Sequence, residues 1–289
     1  MGGKKKGTIV ENNEYWIWLS KVKISPRSKF KLIQKYKMPS KLWELSEEEL
    51  AYALKKSEEA EILKQEYRSN LGKELDYIKK YKIKIIDINN EYYPINLKYI
   101  YDAPVVLYAI GNIELLKSQS IAVVGTRKCT EYGIKVAQQI SSEIVKFNAS
   151  VISGLAKGID SYVHIGANGK TIAVLGTGVD IIYPKENVSL AKEILNKGGL
   201  IISEYPIGTE PEKMNFPSRN RIISGIADSV IVVEATQRSG SLITAEFALE
   251  QGKDVYAVPG NITSASSVGT NNLIKEGAIP FTGIEDMLK

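Results

Sequence analysis

The sequence is poor in the side chains that most often carry covalent or metal chemistry: its 289 residues include one cysteine, Cys129, and one histidine, His164. A single thiol excludes an internal disulfide, and one thiol with one imidazole leaves too few soft ligands for an all-protein zinc site. No metal and no cofactor are expected. Long apolar runs are missing too. None approaches the roughly 20 residues that span a bilayer, and the basic opening MGGKKKG leads into no signal-peptide core. A cytoplasmic location with no membrane partner is the expectation. Arginine is the scarce cation, with six among 38 basic residues.

What is present suffices for a sizeable core: a 44% hydrophobic content over this length suits one large domain and a smaller one. The net charge of +5 is unevenly spread. Residues 1–80 carry 18 Lys and Arg against 12 Asp and Glu, whereas residues 81–289 carry 20 against 21. The larger part therefore has no general basic field, and an anion site there must come from local placement of a few cations and backbone N–H groups. Four of the six arginines, Arg127, Arg219, Arg221 and Arg238, fall in expected loops of this part. In a lysine-dominated chain that choice points to a need for the guanidinium fork.

Three segments are expected: a basic flexible tail over residues 1–9, a helical domain over 10–80 and a Rossmann-like domain over 81–289. The helical reading rests on apolar residues at helical spacing, such as Tyr15, Trp18, Leu19 and Val22, with Pro26 and Pro39 as breaks. IKIIDI and VVLYAI then read as strands that extend or precede a main sheet. From Ser120 onward, short runs (IAVV, SVIS, TIAVL, LIIS, SVIVVE, DVYAV) alternate with amphipathic stretches at about 132–147, 159–167, 188–196, 220–226 and 242–251. This is the signature of βαβ units and predicts an α/β, doubly wound, mostly parallel sheet. Ligands of such sheets bind at the carboxyl ends of the strands.

Those ends carry glycine. Gly125-Thr126-Arg127 follows the first strand, Ser153 and Gly154 through Lys157 and Asp160 the second, and Gly176-Thr177-Gly178 the third. Ser239-Gly240 opens the helix after the fifth. Such loops let backbone N–H groups approach an anion, and a helix start adds its positive end. Neither GxGxxG nor GxxxxGK[ST] occurs, which argues against a conventional NAD enzyme or P-loop ATPase. The segment Lys213 to Arg221 combines cations (Lys213, Arg219, Arg221), a ring (Phe216) and an amide (Asn220). Cations there can clamp phosphates, the ring can stack, and Asn220 can pair with a base edge or sugar. The competing reading has Phe216-Pro217 packed as a helix lead-in and one arginine paired with Glu204 or Glu234.

An ordered series of motifs carries a family resemblance: VGTR at 124–127, SGLAKGID at 153–160, GKTIAVLGTGVDIIYPKEN at 169–187, SEYP at 203–206, FPSRNRII at 216–223, SGSLITA at 239–245 and VPG at 258–260. Over roughly residues 81–289 the chain resembles the DNA-processing protein A family (DprA, also called Smf). The resemblance implies a Rossmann-like domain that binds single-stranded DNA without turnover and regardless of sequence. It further implies protection of incoming DNA, help in loading the RecA recombinase during natural transformation, and a homodimer. Arg127, Arg219 and Arg221 would contact phosphates, Gly125, Ser153, Gly154, Gly176, Ser239 and Gly240 would line the pocket, and Lys213 would add a further contact. The alternative is a nucleotide-processing enzyme of the lysine-decarboxylase-like phosphoribohydrolase type. Asp160 and His164, four residues apart on one helix, could then form an acid/base pair, although a helix-cap acid and a packed histidine account for them more simply.

Overall fold

A computed structural model describes residues 9–65 and 71–287. Apart from Ile9, the basic tail expected over residues 1–9 lies outside them. Six helices come first: α1 (Ile9–Lys21), α2 (Pro26–Tyr36), α3 (Pro39–Glu44), α4 (Glu47–Leu54), α5 (Ser57–Gln65) and α6 (Leu71–Lys80). Pro26 and Pro39 start helices where they were expected to break them. At the first helical position the missing N–H would have had no partner in any case. Ser25 caps α2 by accepting from Ser28 N, and Ser46 and Glu49 close a capping box on α4.

The remaining strands and helices follow in alternation: β1 (Lys84–Asp87), α7 (Ile95–Lys98), β2 (Val106–Gly111), β3 (Ser120–Val124), α8 (Glu131–Lys146), β4 (Ser150–Ser153), α9 (Ile159–Ala167) and β5 (Thr171–Val174). The chain continues through α10 (Val188–Asn196), β6 (Leu200–Ser203), α11 (Asn215–Ile226), β7 (Ser229–Val232), α12 (Gly240–Glu250), β8 (Asp254–Ala257), α13 (Val268–Lys275) and β9 (Ile279–Pro280). They form one sheet in the order β1-β2-β6-β5-β4-β3-β7-β8-β9. Pairing is parallel from β6 to β9, while β2 runs antiparallel to both β6 and β1. The two early apolar runs thus extend the sheet beyond β6.

Strands β3 to β7 are buried along their length, as expected of strands covered on both faces. Alternate residues serve opposite layers. Val124, Ile152, Val174 and Val232 join the core beneath α11, α12 and the N-terminal helices, whereas Val123, Val151 and Ile231 pack with Ile140 and Ile144 of α8 and Val163 of α9. The N-terminal helices share the first of these cores with the sheet through Trp16, Ile17 and Leu19. Ser20 Oγ and Tyr108 Oη of β2 add a hydrogen bond of 2.7 Å.

Helix α11 differs from expectation in one consequential way. It begins at Asn215, five residues before the expected start, and takes in the whole FPSRNR motif. Pro217 sits in its first turn, where proline is tolerated because the first N–H groups have no helical acceptor.

Candidate functional site

Chain direction along the sheet reverses at β3: β4, β5 and β6 are added on one side, and β7 and β8 on the other. The loops leaving β3 and β7 therefore diverge and leave a crevice at their carboxyl ends, where doubly wound sheets hold ligands. A cavity of about 370 Å³ occupies it. The loop after β3 supplies Gly125, Thr126 and Arg127, the loop after β4 and the first turn of α9 supply Ala156 and Asp160, and the loop after β7 with the start of α12 supplies Thr236, Arg238, Ser239 and Gly240. Phe216, Arg219 and Asn220 of α11 close the remaining side. Arg127 and Arg238 are exposed. Ser239 caps α12 by accepting from Ser241 N, and Gly240 beside it has open space around its Cα. The positive end of an 11-residue helix thus meets two exposed arginines across one opening.

The two arginines of α11 do different work from each other. Arg219 is 5% exposed and lines the cavity floor, donating from Nη1 to Gly154 O at 2.6 Å and to Val174 O, while Asn220 Oδ1 accepts from its Nε. Among the described residues no carboxylate forms an ion pair with it. Burial pulls its pKa down to about 10, against the opposing field of Asp160. It remains a cation at neutral pH, hydrogen-bonded to carbonyl oxygens and in the field of the buried Asp160 carboxylate beside it. Arg221 is 2% exposed and lies outside the cavity lining. Its Nε donates to Asp102 at 2.8 Å and its Nη2 to Glu204 at 2.6 Å, and these two acids outweigh burial and raise its pKa. The expectation that Arg221 contacts phosphate is therefore corrected: two carboxylates already hold it in the interior. The paired-arginine reading, with Glu204 as partner, describes this residue.

Several other expected pocket residues are also engaged inside the protein. Ser153 Oγ donates to Val123 O and Thr177 Oγ1 to Ile181 O, and both side chains are buried. Gly154 is glycine because a Cβ there would lie 2.5 Å from the Arg219 guanidinium and 2.7 Å from Asp160 Oδ2. At Gly176 it would meet the Phe216 ring, and at Gly178 the Asp180 carboxylate. These glycines admit the protein's own side chains, and Ser153, Gly154, Gly176, Thr177 and Gly178 do not line the cavity. Lys157 and Lys213 are exposed and lie outside the cavity lining, Lys157 paired with Glu186. Gly125, Thr126, Arg127, Phe216, Arg219, Asn220, Ser239 and Gly240 are brought together. Arg238 joins them; its rarity among lysines was the signal in the sequence.

Asp160 and His164 form no acid/base pair in the opening. Asp160 Oδ2 accepts from Gly154 N and Ala156 N at the start of α9, and burial raises its pKa. His164 is 2% exposed with Nδ1 on Thr171 Oγ1, and burial, helped by the Arg219 charge, lowers its pKa to about 3. Glu234 accepts from Thr130 and Ser266, and Glu204 from Arg221. The two strand-end acids do not converge.

Among the described residues no helix is long and apolar enough to cross a membrane. The DNA processing protein DprA of Streptococcus pneumoniae is 47% identical over 214 residues, covering 72% of this chain and 74% of that protein. The X-ray structure of DprA from the same species superposes at a TM-score of 0.83 with 38% identity, covering 95% of this chain and 96% of that one. DNA processing protein A of Helicobacter pylori, whose structure concerns its single-stranded DNA binding mode, superposes at 0.67 with 30% identity, over 72% of this chain and 94% of that one. Residues 84–289 match the family described as DNA recombination-mediator protein A, and the chain belongs to that family.

Proposed function

We propose that this protein binds single-stranded DNA in the cavity between β3 and β7, tolerating any sequence and performing no turnover. One observation carries the reading: a cation-lined opening in which Arg127, Arg238 and the start of α12 stand over the buried Arg219. Exposed guanidinium forks and helix N–H groups suit phosphate oxygens, and Phe216 beside them offers a ring to an unpaired base. The relative from H. pylori with its single-stranded DNA binding mode supports the same ligand. Further contacts fall to Lys157 and Lys213.

The family membership and the motif series support a role in recombination, in which the protein, as a cytoplasmic homodimer, protects incoming DNA and helps load RecA. Sedimentation tests the homodimer, and a RecA pull-down tests the contact with the recombinase. The central experiment is a titration of a labelled single-stranded oligonucleotide at several salt concentrations. Two or three neutralised phosphates give log K against log salt a slope of about −1.4 to −2.1. Absence of binding, or equal affinity in Arg127→Ala, removes the reading.

A further inference from the structure

Phe216 lines the cavity, and a second ring outside the lining packs against it. The ring of Tyr183, in the connection from β5 to α10, lies 5.4 Å from that of Phe216, centroid to centroid, at 39° between planes. Tyr183 is 45% exposed. Neither ring is loosely held. Phe216 lies against Gly176, where a Cβ would fall 2.9 Å from a ring carbon. Behind Tyr183, Pro184 is buried, and the next turn ends in the buried Asn187. Asn187 Nδ2 reaches Leu155 O at 2.9 Å, Ala156 O at 3.2 Å and Ser161 Oγ at 3.0 Å. The turn that presents Tyr183 is thereby tied to the loop that supplies Ala156 and Asp160 to the cavity. Lys185 and Lys213, two positions from Tyr183 and three from Phe216 in the chain, are exposed.

A tyrosine keeps its hydroxyl in water while offering an apolar face, which suits a surface position that must receive a planar group. We infer that Tyr183 is a second stacking platform for an unpaired nucleobase, over which the strand leaves the cavity past Phe216 toward Lys185 and Lys213. The inference rests on the proposed single-strand binding. It adds a base subsite that depends on ring overlap, whereas the cavity depends on charge. Stacking tolerates any base because every base has a π face, so the subsite lengthens the footprint without adding sequence preference.

The test compares oligothymidylate binding to wild type, Tyr183→Ala and Tyr183→Phe across salt concentrations, with the melting temperature of each. Tyr183→Ala is expected to weaken binding about fivefold or more, with the salt slope and melting temperature unchanged, and Tyr183→Phe to bind like wild type. Irradiating wild type with an oligonucleotide carrying 5-iododeoxyuridine gives a readout independent of any variant; the cross-linked peptide is expected to contain Tyr183. Equal affinity of wild type and Tyr183→Ala, a reduced slope, or cross-links confined to other peptides overturns the inference while single-strand binding stands. Wild type that binds no oligonucleotide removes the parent reading and this one with it.

Discussion

Arg219 and Arg221, two residues apart in α11, leave the helix on nearly opposite sides: one lies beneath the cavity against Gly154 O and Val174 O, the other between Asp102 and Glu204. Two helical residues subtend about 200°, so a pair that could share a face in a loop cannot do so in a helix. The early start of α11, with Pro217 accommodated in its first turn, therefore assigns one arginine to the site and the other to the fold.

Arg221→Ala is expected to lower stability with little effect on the DNA affinity of the folded protein. It leaves Asp102 and the largely buried Glu204 facing an emptied site, and breaking a buried pair in this way costs about 3 kcal/mol or more. Urea unfolding measures the loss, and a change below about 0.5 kcal/mol contradicts the ion-pair assignment.

Arg127→Ala is expected to do the reverse. The side chain is exposed at the opening, so stability should stay within about 0.5 kcal/mol. Loss of one charged phosphate contact should cost about tenfold in affinity and make the salt slope shallower by about 0.7. Arg238→Ala is expected to behave in the same way, and both are read from oligonucleotide titrations.

Gly154→Ala tests how the buried cation is seated. The added methyl would meet the Arg219 guanidinium at 2.5 Å and Asp160 at 2.7 Å, both anchored by hydrogen bonds. Overpacking of this kind costs about 1–3 kcal/mol. It should also weaken DNA binding although Gly154 lines no part of the cavity, through displacement of Arg219. A variant with wild-type stability and affinity contradicts this seating.

His164 gives a pH dependence of defined sign. The Thr171 hydroxyl donates to Val151 O, so its oxygen accepts from His164 Nδ1–H, and the buried Nε2 has no partner among the described residues. Burial, with the field of Arg219, holds the folded pKa near 3, against about 6.5 when unfolded. The unfolded chain therefore binds a proton that the folded chain refuses, and stability present above pH 6.5 is lost as pH falls, by about 1.4 kcal/mol per unit. Asp160, raised by burial, contributes with the opposite sign above its unfolded value near 3.8, so the histidine is isolated by comparing wild type with His164→Gln over the interval just below pH 6.5. Urea midpoints across that interval should fall in wild type and stay flatter in His164→Gln.

The β-branched runs and their glycine-bearing ends were readable from the sequence because period and turn chemistry are local properties. From them came the parallel sheet, the early strands at its margin and the rim on which Gly125, Arg127 and Ser239 meet. Residues at other strand ends misled for a shared reason. Ser153, Thr177 and Gly154 have the composition of ligand-binding loops, but their neighbours are Val123 O, Ile181 O and Arg219, which lie 30, 4 and 65 positions away in the chain. A glycine that admits a phosphate and one that admits a guanidinium look the same in a sequence.

By itself the sequence determined the class of fold, the strand ends at which the cavity opens and the cationic character of that rim, because each follows from hydrophobic period, glycine placement and the scarcity of arginine. Only the tertiary structure decided which cation faces outward and which stays inside. That choice depends on the angle at which α11 presents successive residues and on the distant acids it meets: Asp102 and Glu204 enclose Arg221, while Arg219 meets carbonyl oxygens at the floor of an open cavity.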